Sequence, residues 1–106
     1  MLELLELDGP REKVDAVRAT VLVATAKVKT PNPTKIRLTN KSFAPEAAAV
    51  VADHLRTLSC VVEADIADII AGLPEEEANK TLYLISSALE KFDLKTVDVS
   101  DNALGP

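Results

Sequence analysis

The sequence predicts an α/β solenoid, with parallel strands in chain order and every helix on one convex side. Three observations predict it. First, strand-like and helix-like stretches alternate along the 106 residues, and such alternation implies parallel strands joined by helical crossovers. Second, KIRLTN, EADIAD and TVDVSDN each keep one polar face, whereas strands of a doubly wound sheet are buried on both faces and read as continuous apolar runs. Third, LKTVDVSDNALGP sets Leu94, Val97, Val99, Asn102 and Leu104 at the spacing L-x-x-L-x-L-x-x-N-x-L, which is the strand and turn of a leucine-rich repeat.

Each element has its own justification. LELLELD at residues 2–8 alternates apolar and acidic residues before Gly9-Pro10 and reads as a short strand and turn. Pro10 suits a first helical turn, where its missing N–H has no partner. Val14, Val17, Val21, Ala24 and Val28 recur at threes and fours, which puts them on one face of a predicted helix over about residues 11–27. The KTPNPT stretch is a loop. In KIRLTN, Ile36 and Leu38 point one way and Lys35, Arg37 and Thr39 the other, as in a strand buried on one face. SFAPEAAAVVADHLRTL is a helix, with Ser42 as its cap and Ala47, Val50, Val51, His54 and Leu55 inward. VVEADIAD is the next strand. A helix over about residues 74–91 follows the loop at Gly72, with Ala78, Leu82, Ile85, Ala88 and Leu89 as its apolar stripe. The last strand runs over residues 94–99.

The strands also align with one another. Ile36, Ala64 and Val97 occupy equivalent places, and Phe43, Ile70 and Leu104 are the first apolar residues beyond each turn. Ile36 and Ala64 lie 28 residues apart, within the range of about 20–29 for leucine-rich repeats. That period, with a helix in each repeat, is the ribonuclease-inhibitor-like subclass. Ala64 and Val97 lie 33 apart, so the second repeat carries about one extra helical turn near Gly72. The asparagine place of the consensus falls on Lys41 in the first repeat, Ile69 in the second and Asn102 in the third.

Composition narrows the function. Hydrophobic residues make up 47% of the chain and aromatics are scarce, so the core is aliphatic and the chain folds. A net charge of −5 argues against a nucleic-acid groove and against anionic membrane surfaces. Cys60 is the single cysteine, so no internal disulfide forms and a reducing compartment is expected. No apolar run is long enough to span a bilayer, and the acidic start is unlike a signal peptide. The glycines are Gly9, Gly72 and Gly105 only, so no phosphate-binding glycine motif can be drawn and a compact α/β enzyme is the weakest reading. His54 and Cys60 have no orienting third group for nucleophilic catalysis; the expectation is a semi-buried imidazole and a small buried thiol. No metal or cofactor is expected.

The candidate contact residues end the strands. Asn40, Asp68, Asp101 and Asn102 have the turn-forming, backbone-bonding side chains of such ends, and the rim they make is the candidate partner surface. Asn102, at the consensus place, is read as structural first. Glu75, Glu76 and Glu77 are read as favourable charges at a helix N-terminus.

Three stretches, TKIRLTNKSFAPEAAAVVADHL, DIADIIAGLPEEEANKTLYLISSALE and VDVSDNALGP, resemble in that order the first repeats of the Ran GTPase-activating protein family, its plant and algal members most closely. The resemblance covers about residues 34–106. It implies a leucine-rich-repeat domain over residues 34–106, the last repeat incomplete, preceded by a strand–helix cap over residues 1–33. It implies stimulation of GTP hydrolysis by a Ran-type GTPase in nuclear transport, in the cytoplasm or at the nuclear envelope. That family supplies no arginine finger and positions the GTPase's own glutamine, with help from an asparagine in a later repeat.

The sequence also departs from the family. Leu73 stands after Gly72 where the family usually carries arginine, and neither the later asparagine nor an acidic tail is present. The expectation is therefore an amino-terminal fragment of an activator, inactive alone, with Asn40, Lys41, Asp68, Leu73, Asp101 and Asn102 as the partner-binding set. A leucine-rich interaction module without activator function is the alternative. Because solenoid ends normally carry polar caps, self-association through an open last strand is expected as well.

Overall fold

The computed structural model describes residues 4–7, 10–99 and 102. Four strands, β1 (Leu4–Glu6), β3 (Lys35–Arg37), β5 (Glu63–Asp65) and β6 (Thr96–Asp98), form a parallel sheet in the order β1-β3-β5-β6. Two further strands, β2 (Glu12–Val14) and β4 (Lys41–Phe43), make a second parallel ladder. Helices α1 (Ala16–Lys29), α2 (Pro45–Leu55) and α3 (Glu75–Leu89) follow β2, β4 and the Gly72 turn; α1 packs on α2 and α2 on α3. The molecule is thus an α/β protein with a parallel sheet whose strands neighbour one another in chain order.

Register ties the strands to a single repeating position. Leu5 stands opposite Ile36, Ile36 opposite Ala64, and Ala64 opposite Val97. The first three are buried because the pleat points every second side chain toward the helices. Backbone bonds recur at the same offsets. The Val62 N–H donates to the Thr34 carbonyl at 2.8 Å, and Lys95 N–H to the Val62 carbonyl at 2.7 Å. Leu38 N–H donates to Asp65 O at 2.9 Å, and Ile66 N–H to Asp98 O at 2.8 Å.

The second ladder was not legible in the sequence. Ser42, expected as a helix cap, lies in β4 and donates its hydroxyl to the Ala71 carbonyl at 2.6 Å. Ala44 stands at the N-cap instead, and Pro45 opens the helix. Phe43 is fully buried; its N–H donates to Ile69 O at 3.1 Å, and its carbonyl accepts the buried Thr81 hydroxyl at 2.7 Å. Phe43 therefore ties β4 both to the segment after β5 and to α3.

Helix α1 differs most from expectation. It starts after β2, at Ala16, capped by the Asp15 carboxylate accepting from Arg18 N–H at 2.8 Å. Its buried residues are Ala19, Leu22 and Ala26, while Val17, Val21, Ala24 and Val28 are exposed. The helix has two apolar faces. The one carrying two alanines turns to the core, where small side chains let helices approach closely, and the valine face is left outside. Helices α2 and α3 bury the expected stripes, with Val50 and Leu82 only partly covered. Cys60 is a further correction: it is exposed, and the adjacent Val61 takes the buried place.

His54 lies on α2, buried, with Nε2 unbonded among the described residues. Burial first, and the charge of Lys27 on α1 second, hold its pKa below the ordinary value. The unfolded chain therefore binds a proton that the folded chain refuses. Stability is expected to be full above an imidazole's ordinary pKa of about 6.5 and to fall as the pH drops through it, by at most about 1.4 kcal/mol per pH unit from this group. Urea titrations at neutral pH and one to two units lower should show this loss, and His54→Gln should flatten it.

Candidate functional site

The turns that leave β3 and β5 form one rim of the molecule. Asn40 and Asp68 both adopt left-handed backbone, with φ of 68° and 54°. They lie 28 residues apart, so the same uncommon conformation recurs at one point of consecutive strand–turn units. Asparagine and aspartate tolerate it because their short polar side chains bond locally. Gly72, with φ of 81°, is a further left-handed residue, in the turn before α3, and leads into Leu73. Leu73 packs partly against the core, and its N–H donates to Ile70 O at 3.1 Å.

Ion pairs connect the rim to the first segment. The Arg11 guanidinium binds the Asp68 carboxylate with both terminal nitrogens. Lys41 is fully buried, and its ammonium donates to the Pro10 carbonyl at 2.7 Å and lies 3.7 Å from Glu12. The hydrogen bond from Arg18, 2.6 Å long, is the main cause that holds the Glu12 carboxyl below its usual range; burial opposes it and the charge of Lys41 adds to it. Asn102 is likewise turned inward. Its Oδ1 accepts from Ile69 N–H at 2.8 Å, while its Nδ2 donates to the carbonyls of Ile66 at 2.7 Å and Val99 at 3.1 Å. Lys41 and Asn102 hold the same place in the repeat alignment, and both donate into backbone of an earlier turn.

Of the six residues singled out from the sequence, Asn40 is exposed, while Asp68 and Leu73 are half-buried on the rim. Lys41 and Asn102 spend their polar atoms on backbone, and Asp101 lies outside the described residues. The open face of the sheet adds a charge ladder that the sequence analysis left out of that set. Arg37 reaches Glu6 at 3.2 Å and Asp65 at 3.8 Å, and Lys35 lies 3.9 Å from Glu63. The alternation of β3 had already placed Lys35 and Arg37 on the polar face. Arg11 carried no such signal, because its partner lies 57 residues away.

This surface offers paired charges and left-handed turns at the edge of the sheet. Among the described residues no group of three or more His, Cys, Asp or Glu side chains is placed to hold a metal. No described helix is long and apolar enough to cross a membrane.

Fold and rim together define a parallel α/β protein built from recurring strand–turn–helix units. No family profile matches the chain. It is 45% identical over 73 residues to RAN GTPase-activating protein 1 of Arabidopsis thaliana, a match covering 68% of this chain. It is 37% identical over 98 residues, 92% of the chain, to RAN GTPase-activating protein 2 of the same plant. The chain belongs to the Ran GTPase-activating protein family. These matches span 14% and 18% of the two relatives, so the chain corresponds to less than a fifth of either.

Asn102→Ala would leave the Ile69 N–H and the Ile66 carbonyl without their side-chain partner. A loss of roughly 1–3 kcal/mol is expected in urea denaturation. Asn102→Asp keeps the acceptor but sets a carboxylate oxygen against the Ile66 and Val99 carbonyls, and at neutral pH it should lose at least as much as Asn102→Ala.

Proposed function

We propose that the chain forms the opening units of a leucine-rich-repeat solenoid that docks on a Ran-type GTPase and so serves nuclear transport. The observation that carries this reading is the 45% identity over 73 residues to a Ran GTPase activator. The in-register strands, the left-handed turns at Asn40 and Asp68, and the inward Asn102 support the repeat reading. Residues 1–33 act as a cap on the first repeat. Lys41 seated on the Pro10 carbonyl and Arg11 clasped by Asp68 add to the β1–β3 and β2–β4 pairing that fastens it.

Docking uses the rim and the open sheet face. Asn40, Asp68, Leu73 and Asp101 meet the GTPase, Lys41 and Asn102 keep the turns in shape, and the ladder from Glu6 through Arg37 to Asp65 sets charge complementarity. Asp68 and Asp65 each already balance an arginine, so charge reversal at either removes an intramolecular pair as well as a contact. Hydrolysis needs groups that orient water and stabilise charge at the transferred phosphoryl group, and the rim as described presents hydrogen-bonding turns and paired charges for binding.

The test has two readouts. Binding of the chain to GTP-loaded Ran should weaken with salt and with Asp65→Lys, while single-turnover hydrolysis stays within about twofold of the intrinsic rate. An acceleration of about 10³ or more, the scale of a complete activator, would overturn the division between docking and catalysis. Absence of any binding at low salt would remove the docking surface.

A further inference from the structure

The exposed valine face of α1 reads as a surface for a second copy of this chain. Val17, Val21, Ala24 and Val28 stand at intervals of four, three and four residues. That is the a/d spacing of a two-helix seam. Val17 is 76% exposed, Val21 50% and Val28 85%, so the stripe has no partner within the molecule among the described residues. Two threonines that flank the stripe add to its apolar character. Thr20 donates its hydroxyl to Ala16 O at 2.8 Å and Thr25 to Val21 O at 3.1 Å. Their methyl groups are thus what remains to be covered.

The occupant follows from the order of residues. Read from Val17 to Val28, the helix is VRATVLVATAKV, and it reads nearly alike in reverse. About a point between Leu22 and Val23, Val17 mirrors Val28, Arg18 mirrors Lys27, Ala19 mirrors Ala26, Thr20 mirrors Thr25 and Val21 mirrors Ala24. An antiparallel pair of α1 helices about a twofold axis at that point sets Val17 against Val28 of the second copy and Val21 against Ala24. This is the self-matching patch that a twofold interface requires.

The charges do not oppose this arrangement. Arg18 and Lys27 are nine residues apart, roughly half a turn around the helix at about 3.6 residues per turn. They lie on opposite flanks of the seam and do not meet across the axis. Arg18 is in addition drawn back by Glu12 at 2.6 Å.

We propose that two copies of the chain associate through antiparallel pairing of α1 along Val17, Val21, Ala24 and Val28. A helix of 14 residues is about 21 Å long. One such seam buries less than the roughly 1,200 Å² of a standard stable interface. The association is therefore weak and reversible, and it leaves the sheet face and rim free.

Sedimentation equilibrium of the full chain should show the average mass rising toward that of a dimer between about 10 μM and 1 mM, a range set by the weak affinity of so small an interface. Val21→Lys places a charge on the seam at an exposed position, where lysine is a good helix former, and should hold the chain monomeric with an unchanged circular dichroism spectrum. Orientation is read in a Cys60→Ser background. Mixing the Val17→Cys and Val28→Cys chains under mild oxidation should yield the disulfide between the two variants in excess of either homodimer. Predominant pairing of Val17→Cys with itself means a parallel arrangement and overturns the proposal. A monomer throughout the range overturns it too. So does a dimer that survives Val21→Lys but is lost with Val97→Lys, which would place the contact on the β6 edge.

Discussion

The structure depends on one stacked position. Leu5, Ile36, Ala64 and Val97 stand in register across four parallel strands, and parallel pairing of this kind requires each strand to return by a crossover. Once the register is set, every second side chain is committed to the helical side and the rest to the open face. The core under α1, α2 and α3 and the charge ladder on the other face are two outcomes of the same constraint. A slip of one residue would bury Arg37 and expose Ile36.

The turns convert that register into a rim. A left-handed residue at Asn40 and again at Asp68 redirects the chain from the main sheet. After Asn40 it enters β4, which pairs with β2, and Phe43 N–H reaches forward to the Ile69 carbonyl. Buried and half-buried polar groups are tolerated here because each bonds backbone: the Lys41 ammonium that of Pro10, the Thr81 hydroxyl that of Phe43, the Asn102 amide that of Ile66 and Ile69. His54 Nε2 is the buried polar side-chain atom without a bond among the described residues, and burial lowers the pKa of that imidazole.

Much of this was legible in the sequence because periodicity reports burial directly. The alternation in KIRLTN and the offset of 28 residues gave β3, β5 and their register. The stripe of Ala78, Leu82, Ile85, Ala88 and Leu89 gave the inner face of α3, with Leu82 at its half-covered edge. Helix α1 carries two apolar stripes, and period alone does not say which one meets the core. The two alanines at positions 19 and 26 were the available clue. Strands β2 and β4 were missed because three-residue ladders have too few residues for a period and are made by partners far away in the chain. At the rim, alignment put Lys41 in the asparagine place, but nothing local showed that an ammonium would be buried there. The pairing of Arg11 with Asp68 is a product of the fold alone.

In the proposed docking on a Ran-type GTPase, the sheet face and rim make the contact and the helical side takes no part in it. Chemical-shift mapping of the isotope-labelled chain with GTP-loaded Ran tests this division most directly. The account predicts shifts at Arg37, Asn40, Asp65, Asp68 and Leu73, and none at the outward residues of α1 and α3. Shifts centred on Val17, Val28 or Tyr83, with the rim unmoved, would contradict it.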